Sequence, residues 1–161
     1  MDNHNTMSAA GGKDAEKRGF VNDYTHYLDP KRRLTIPSEW RDLLGTPSSL
    51  YVLPDLYEKC LRAFTIAGME RYMVKIREIP MSDRKGRELM RELGRQSNLV
   101  EPDSQGRIRI KDQLLEFAQL VDQVVLVGTF DSFEIWEPNN LGRITGVDQS
   151  KLQEAARYAG I

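Results

Sequence analysis

The sequence predicts an α/β fold (a β-rich α+β arrangement) of two tandem pseudo-symmetric β-hairpin/helix units that share one core. Three observations point there. Short alternating or apolar runs recur along the chain, separated by Asp-Pro, Gly and Ser turns. Two helix-period stretches stand in the middle of the chain. The order of features in the first half then returns in the second at a fixed offset of 74 residues.

Residues 1–19 carry Gly11-Gly12, small polar residues and mixed charge without a structural period, and are expected to form a flexible tail. From Phe20 the chain alternates as a strand, with Phe20, Tyr24, His26 and Leu28 on one side. Asp29-Pro30 opens a turn, because Asp accepts a backbone bond and Pro presets the next φ. Arg33-Leu34-Thr35-Ile36 alternates as a second strand, so the two are expected to make a hairpin with a basic tip. Pro37-Ser38 starts a short helix, with Ser38 as its cap or Pro37 in its first turn. Trp40, Leu43 and Leu44 give that helix an apolar stripe, and Gly45 stops it. Residues 50–53 and 60–64 read as strands around Pro54-Asp55.

Residues 66–79 read as a helix with Ile66, Met69, Met73 and Ile76 along one face. Pro80 ends it, and Ser82 is expected to cap a second helix running to about Arg95. The second half opens on the turn 103–107 and the strand 108–110. A helix follows, capped by Asp112 and carrying Leu114, Leu115 and Ala118. Residues 124–127 and 133–136 are the next strands, and a helix over about 150–158 ends the chain.

Laying residues 29–44 over 103–118 sets Asp29 on Asp103, Arg33 on Arg107, Leu34 on Ile108, Ile36 on Ile110 and Trp40 on Leu114. A duplicated unit follows from agreement at so many positions. Each half is too small to bury enough apolar area alone, and shared strands solve this. The expected organisation is a tail (1–19), a first unit with a helical connector (20–96), a second unit (97–137) and a C-terminal helical segment (138–161). Exposed sheet edges favour oligomers.

Composition narrows the function. The chain has 161 residues, is 40% hydrophobic and 29% charged, and carries a net charge of −1. This is the profile of a soluble globular protein. No apolar run nears the roughly 18 residues of a membrane span. Without a signal-peptide core, the expected compartment is the cytoplasm. One cysteine and two histidines provide neither an internal disulfide nor a common structural zinc site. No Gly-x-Ser-x-Gly, Walker or dinucleotide motif is present, His26 reads as a strand residue and Cys60 as a packed thiol. No catalytic residue, metal, cofactor, membrane or small-molecule substrate is therefore expected, and the chain is not read as an enzyme. Charge is uneven, however: net +3 over 31–41, +4 over 71–95 and −5 over 112–161. For 71–95, the plain reading is a solvated helix face.

The two turns carry a resemblance. Asp29-Pro30-Lys31-Arg32-Arg33 precedes Leu34-Thr35-Ile36-Pro37, and Asp103-Ser104-Gln105-Gly106-Arg107 precedes Ile108-Arg109-Ile110. An Asp-x-x-x-Arg turn before an aliphatic-x-aliphatic strand, once in each half, resembles the MraZ family of bacterial transcription regulators, over about residues 20–137. The resemblance implies two AbrB-like swapped-hairpin units. It implies a ring-shaped homo-oligomer that binds tandem repeats in double-stranded DNA, upstream of a division and cell-wall gene cluster, and hence a nucleoid-associated protein. By that resemblance Lys31 and Arg33 fall on DNA-contacting positions and Arg107 on the equivalent place. The chain departs from the family pattern with Arg32 where Gly is usual, Lys111 where Pro is usual, and a longer tail.

Chemistry assigns the roles. Arg offers a planar fork for guanine or phosphate, so Arg33 is the expected base reader, with Lys31 and Arg32 as phosphate or groove contacts. Asp29 and Asp103 are expected to stabilise the turns rather than touch DNA, since a carboxylate repels phosphate. One protomer presents too few cations for tight binding at physiological salt, and an oligomer on repeated sites overcomes this. The rival reading is an oligomeric interaction scaffold without DNA binding.

Overall fold

The structure is a computed structural model that describes residues 18–144 and 146–161; the expected tail lies outside them apart from Arg18 and Gly19. In chain order the elements are β1 (Asp23–Tyr27), β2 (Arg33–Thr35), a 3-10 helix (Ser38–Leu43), β3 (Leu50–Pro54), β4 (Leu61–Thr65), α1 (Ile66–Arg77) and α2 (Arg84–Gln96). Then follow β5 (Asn98–Val100), β6 (Arg107–Arg109), α3 (Asp112–Phe117), β7 (Gln123–Gly128), β8 (Phe133–Trp136), α4 (Pro138–Gly142) and α5 (Gln149–Ala159). The architecture is the mixed, β-rich α+β fold that the alternating runs predict.

Six strands form one antiparallel sheet in the order β1-β7-β8-β4-β3-β5, and β2 pairs with β6 in a separate two-stranded ribbon. The order is unchanged when the repeated segments are exchanged: β1 for β5, β7 for β3, β8 for β4. The hairpin expected from β1 and β2 is not made by pairing between them. β1 instead lies along β7, with Thr25 opposite Val125, and β2 lies along β6, with Leu34 opposite Ile108. The reason is burial. Leu34 and Ile108 are both fully enclosed, so each needs an apolar partner on the same face, whereas Leu28 is only partly buried. β5 has no counterpart among the predicted elements, and α4 falls within the expected C-terminal helical segment.

The main core lies between the sheet and the ribbon with its short helices. Trp40 is its largest anchor: its ring meets Phe20, Tyr24 and Phe133 at centroid distances of 5.4, 5.1 and 5.0 Å. Its indole nitrogen donates to the Val21 carbonyl at 3.0 Å, so the buried polar atom is satisfied. A second, smaller cluster of Leu53, Phe64, Met69 and Leu93 seats α1 and α2 against β3 and β4. The methionine at helical spacing is thus a core residue.

Three cap expectations change. α2 is capped by Asp83, not Ser82: its carboxylate accepts from the Gly86 amide at 3.1 Å. Neither Pro37, at the cap position of the 3-10 helix, nor Ser38 makes a side-chain cap bond. Lys111 occupies the cap position of α3, which leaves Asp112 as the first helical residue, free to bind arginines.

Candidate nucleic-acid interface

Alternation along β2 and β6 decides what the ribbon shows to solvent. Leu34 and Ile108 face the core, so Arg33, Thr35, Arg107 and Arg109 share the outer face. The antiparallel register sets Arg33 against Arg109 and Thr35 against Arg107. Two arginines directly opposed across a ladder are unfavourable by themselves. Carboxylates on the flanking turns and helix offset that repulsion.

The two turns are built alike. Asp29 Oδ1 accepts from the amides of Lys31 (2.9 Å) and Arg33 (2.8 Å), and Oδ2 accepts from Arg33 Nε at 2.7 Å. Asp103 Oδ1 accepts from the amides of Gln105 and Arg107 (both 2.9 Å), and Oδ2 accepts from Arg107 Nε at 2.8 Å. Each turn is closed by a reciprocal backbone pair, Asp29 with Arg33 and Arg32, and Asp103 with Arg107 and Gly106. Both carboxyls sit below their ordinary value. For Asp29 the amide bond from Arg33 is the main cause, and for Asp103 the amide bond from Arg107.

This bonding fixes the arginine forks. Nε is engaged in both, and among the described residues the terminal nitrogens of Arg33 and Arg107 have no partner. A guanidinium held by its inner nitrogen keeps its outer pair for a planar acceptor. Lys31 is exposed at the turn, with its ammonium likewise unpaired among the described residues.

Arg32 is held differently. Its Nη1 donates to Asp112 Oδ1 at 2.7 Å, and Arg109 Nη2 donates to the same oxygen at 2.7 Å. The bond from Arg109 is the main cause that lowers the Asp112 carboxyl, with the charges of Arg109 and Arg32 adding to it. The structure thus brings Lys31, Arg32 and Arg33 together at one end of the ribbon and Arg107 at the other. The ends lie two residue steps apart along the ribbon, roughly 7 Å.

Three residues of this region are not read from the sequence as part of the site. Arg109 joins Arg33 only through the ladder register, and Asp112 acts as a bridge rather than a cap. Arg41, from the 3-10 helix, donates to the Ile36 carbonyl at 3.2 Å and lies over the second turn. A Cβ at Gly106 would stand 2.5 Å from Arg41 Nε. Lys111, where Pro is usual, donates its ammonium to the carbonyls of Arg95 (2.9 Å) and Ser97 (3.0 Å), closing the end of α2.

The other titratable groups lie elsewhere. His26 is half-buried on β1, and that burial lowers its imidazole. Cys60 is fully buried, and desolvation pushes its thiol far up. It lies beside Asp55 and Glu134, both of which are bound by Arg62 at 3.3 and 2.8 Å. The guanidinium supplies the positive charge there.

Comparison with known proteins identifies the family. The family model described as "MraZ protein, putative antitoxin-like" matches residues 95–157, from the end of α2 into α5. A "Transcriptional regulator MraZ" of Leuconostoc mesenteroides subsp. mesenteroides is 35% identical over 126 residues, covering 78% of this chain and 86% of its own. The protein of the same name from Roseiflexus castenholzii is 36% identical over 119 residues (74% and 81%). That from Dictyoglomus thermophilum is 37% identical over 117 residues (73% and 78%). The class is that of transcriptional regulators and not of enzymes. The chain belongs to the MraZ family.

Proposed function

We propose that this chain is a sequence-specific, double-stranded-DNA-binding regulator that acts as a repressor. It would act on a division and cell-wall gene cluster that includes its own promoter. The observation that carries this reading is the outer face of the β2/β6 ribbon. There Arg33 and Arg107 are each held through Nε by a turn aspartate, and their terminal nitrogens have no partner among the described residues. Arg33 reads base edges, Lys31 and Arg32 hold phosphates, and Arg107 makes the equivalent contact from the second turn. Asp29 and Asp103 stabilise the turns.

One ribbon neutralises few phosphates, so affinity requires several copies on repeated boxes. The edge strands β1 and β5, each paired on one side only among the described residues, favour assembly of a ring. Binding of repeated boxes by such an assembly would keep the protein at the nucleoid.

The test is a fluorescence-anisotropy titration with DNA from upstream of the protein's own gene and with scrambled DNA, at two salt concentrations. Wild type is expected to prefer the upstream DNA in a salt-sensitive way. Arg33→Ala is expected to lose that preference at unchanged oligomer size. Assembly without any DNA preference would reject the reading in favour of the interaction scaffold.

A further inference from the structure

Helix α2 carries five Lys/Arg against two Glu, and four of the arginines share a face. At 100° per residue, Arg84, Arg87, Arg91 and Arg95 fall within an arc of about 80°. Gly86 and Leu93, on the opposite side, are the residues that α2 buries. All four arginines are exposed, Arg84 with 86% of its side chain in solvent and Arg95 with 66%.

The stripe is not explained by the stability of the helix. Arg84 and Lys85 stand in the first turn, where the macrodipole disfavours cations, and the acid at this end is the capping Asp83 just before them. Local rules broken without a structural gain mark functional surfaces. The pairs that do form, Arg84–Glu88 at 3.4 Å and Arg95–Glu92 at 3.0 Å, are solvent-exposed and weak, and a phosphate can replace them. Arg87 spends one nitrogen on the Met81 carbonyl, and Arg91 has no partner among the described residues.

The stripe also adjoins the interface already described. Lys111 binds the Arg95 carbonyl, and the next residue, Asp112, holds Arg32 and Arg109. The C-terminal end of α2 is therefore tied, through Lys111 and Asp112, to the arginines of the ribbon. From Arg84 to Arg95 the stripe runs about 16 Å, a length that spans two or three successive phosphates of one strand.

We propose that α2 is a second phosphate-binding track, along which Arg84, Arg87, Arg91 and Arg95 contact the backbone of the duplex that the turns engage. This rests on the DNA-binding reading of the ribbon. The track adds affinity and register without reading sequence, because phosphate contacts carry no base information.

The test compares three full-length proteins on the upstream duplex and on scrambled DNA across a salt series. These are wild type, the triple variant Arg84→Gln, Arg87→Gln, Arg91→Gln, and a control with equal charge loss, Arg143→Gln, Lys151→Gln, Arg157→Gln. Gln keeps helix propensity, and size-exclusion chromatography verifies that assembly is unchanged. The α2 variant is expected to show a log–log salt slope shallower by about 2 to 3 and affinity lower by at least about tenfold, on both DNAs alike. The control is expected to match wild type. An unchanged slope in the α2 variant would overturn the proposal and leave the stripe to an acidic protein partner or to solvent. An equal loss in the control would overturn it too, since the effect would then be one of overall charge. Failure of wild type to bind the upstream duplex would instead reject the reading on which the track depends.

Discussion

Arg32 and Gly106 occupy the same place in turns 74 residues apart, and both are left-handed, with φ of +60° and +77°. Glycine takes that conformation without cost, whereas arginine is strained in it. The strained residue is the one whose guanidinium reaches Asp112 and stands at the basic end of the ribbon. The first turn therefore holds a cation where the second holds none, at the expense of backbone strain.

That strain sets the first prediction. Arg32→Gly is expected to raise stability by up to about 1 kcal/mol, because the exposed pair it loses returns less than the strain it relieves. Gly106→Ala is expected to lower stability by about 1–2 kcal/mol. Equilibrium denaturation of both variants checks the opposite signs. A fall in stability for Arg32→Gly would mean that the Asp112 pair outweighs the backbone.

Arg33→Lys is expected to behave like Arg33→Ala in DNA preference while folding normally. An ammonium cannot bond Asp29 through an inner nitrogen and still present two outer donors. The comparison is a titration of both variants against matched and scrambled duplexes. Retained preference in the lysine variant would show that only charge matters there.

The turn carboxylates predict acid sensitivity. Asp29, Asp103 and Asp112 all sit below their ordinary value when folded. Their stabilising contribution is complete above the unfolded value of about 3.9 and disappears as pH falls through the lower folded values. Melting temperature followed from pH 7 down to pH 2 should drop in that acid range. Asp29→Asn should start lower at neutral pH and fall less steeply in acid.

Arg62 holds two mostly enclosed carboxylates, Asp55 and Glu134, which are 10% and 13% exposed, and it also donates to Ser132 Oγ at 3.1 Å. Arg62→Met would strand both charges and is expected to cost about 3 kcal/mol. Chemical denaturation measures it. A loss below about 1 kcal/mol would show that water reaches the cluster freely.

Cys60 should resist thiol reagents in the native protein, because it has no exposed surface and its thiolate is strongly disfavoured by burial. Labelling with a chromogenic disulfide is expected only at the rate of unfolding, with full reaction in denaturant.

The turns were legible in the sequence because each is a local device. Asp, a residue tolerant of the turn and an arginine four positions on are enough to specify it. The identity of strand partners was not legible. Alternation states that Leu34 faces inward, but period two contains nothing that names Ile108 as its neighbour and not Leu28. Arg109 escaped for the same reason, since only the register of β2 on β6 makes it a neighbour of Arg33. Asp83 and Ser82 are both capping types, and one residue of phase decided between them. The outer face of α2 was visible as a charged stretch. What the sequence alone did not show was its continuity with Lys111 and Asp112.

The exchange of strands between the repeated segments also dictates an order of events during synthesis. β2 leaves the ribosome about 74 residues ahead of β6, an interval of roughly 4–15 s at ordinary elongation rates. Throughout that time its backbone donors and acceptors are open, and Leu34 has no cover. The arginines beside Leu34 then act as gatekeepers, their charge deterring a stray strand from another nascent chain until the proper partner arrives.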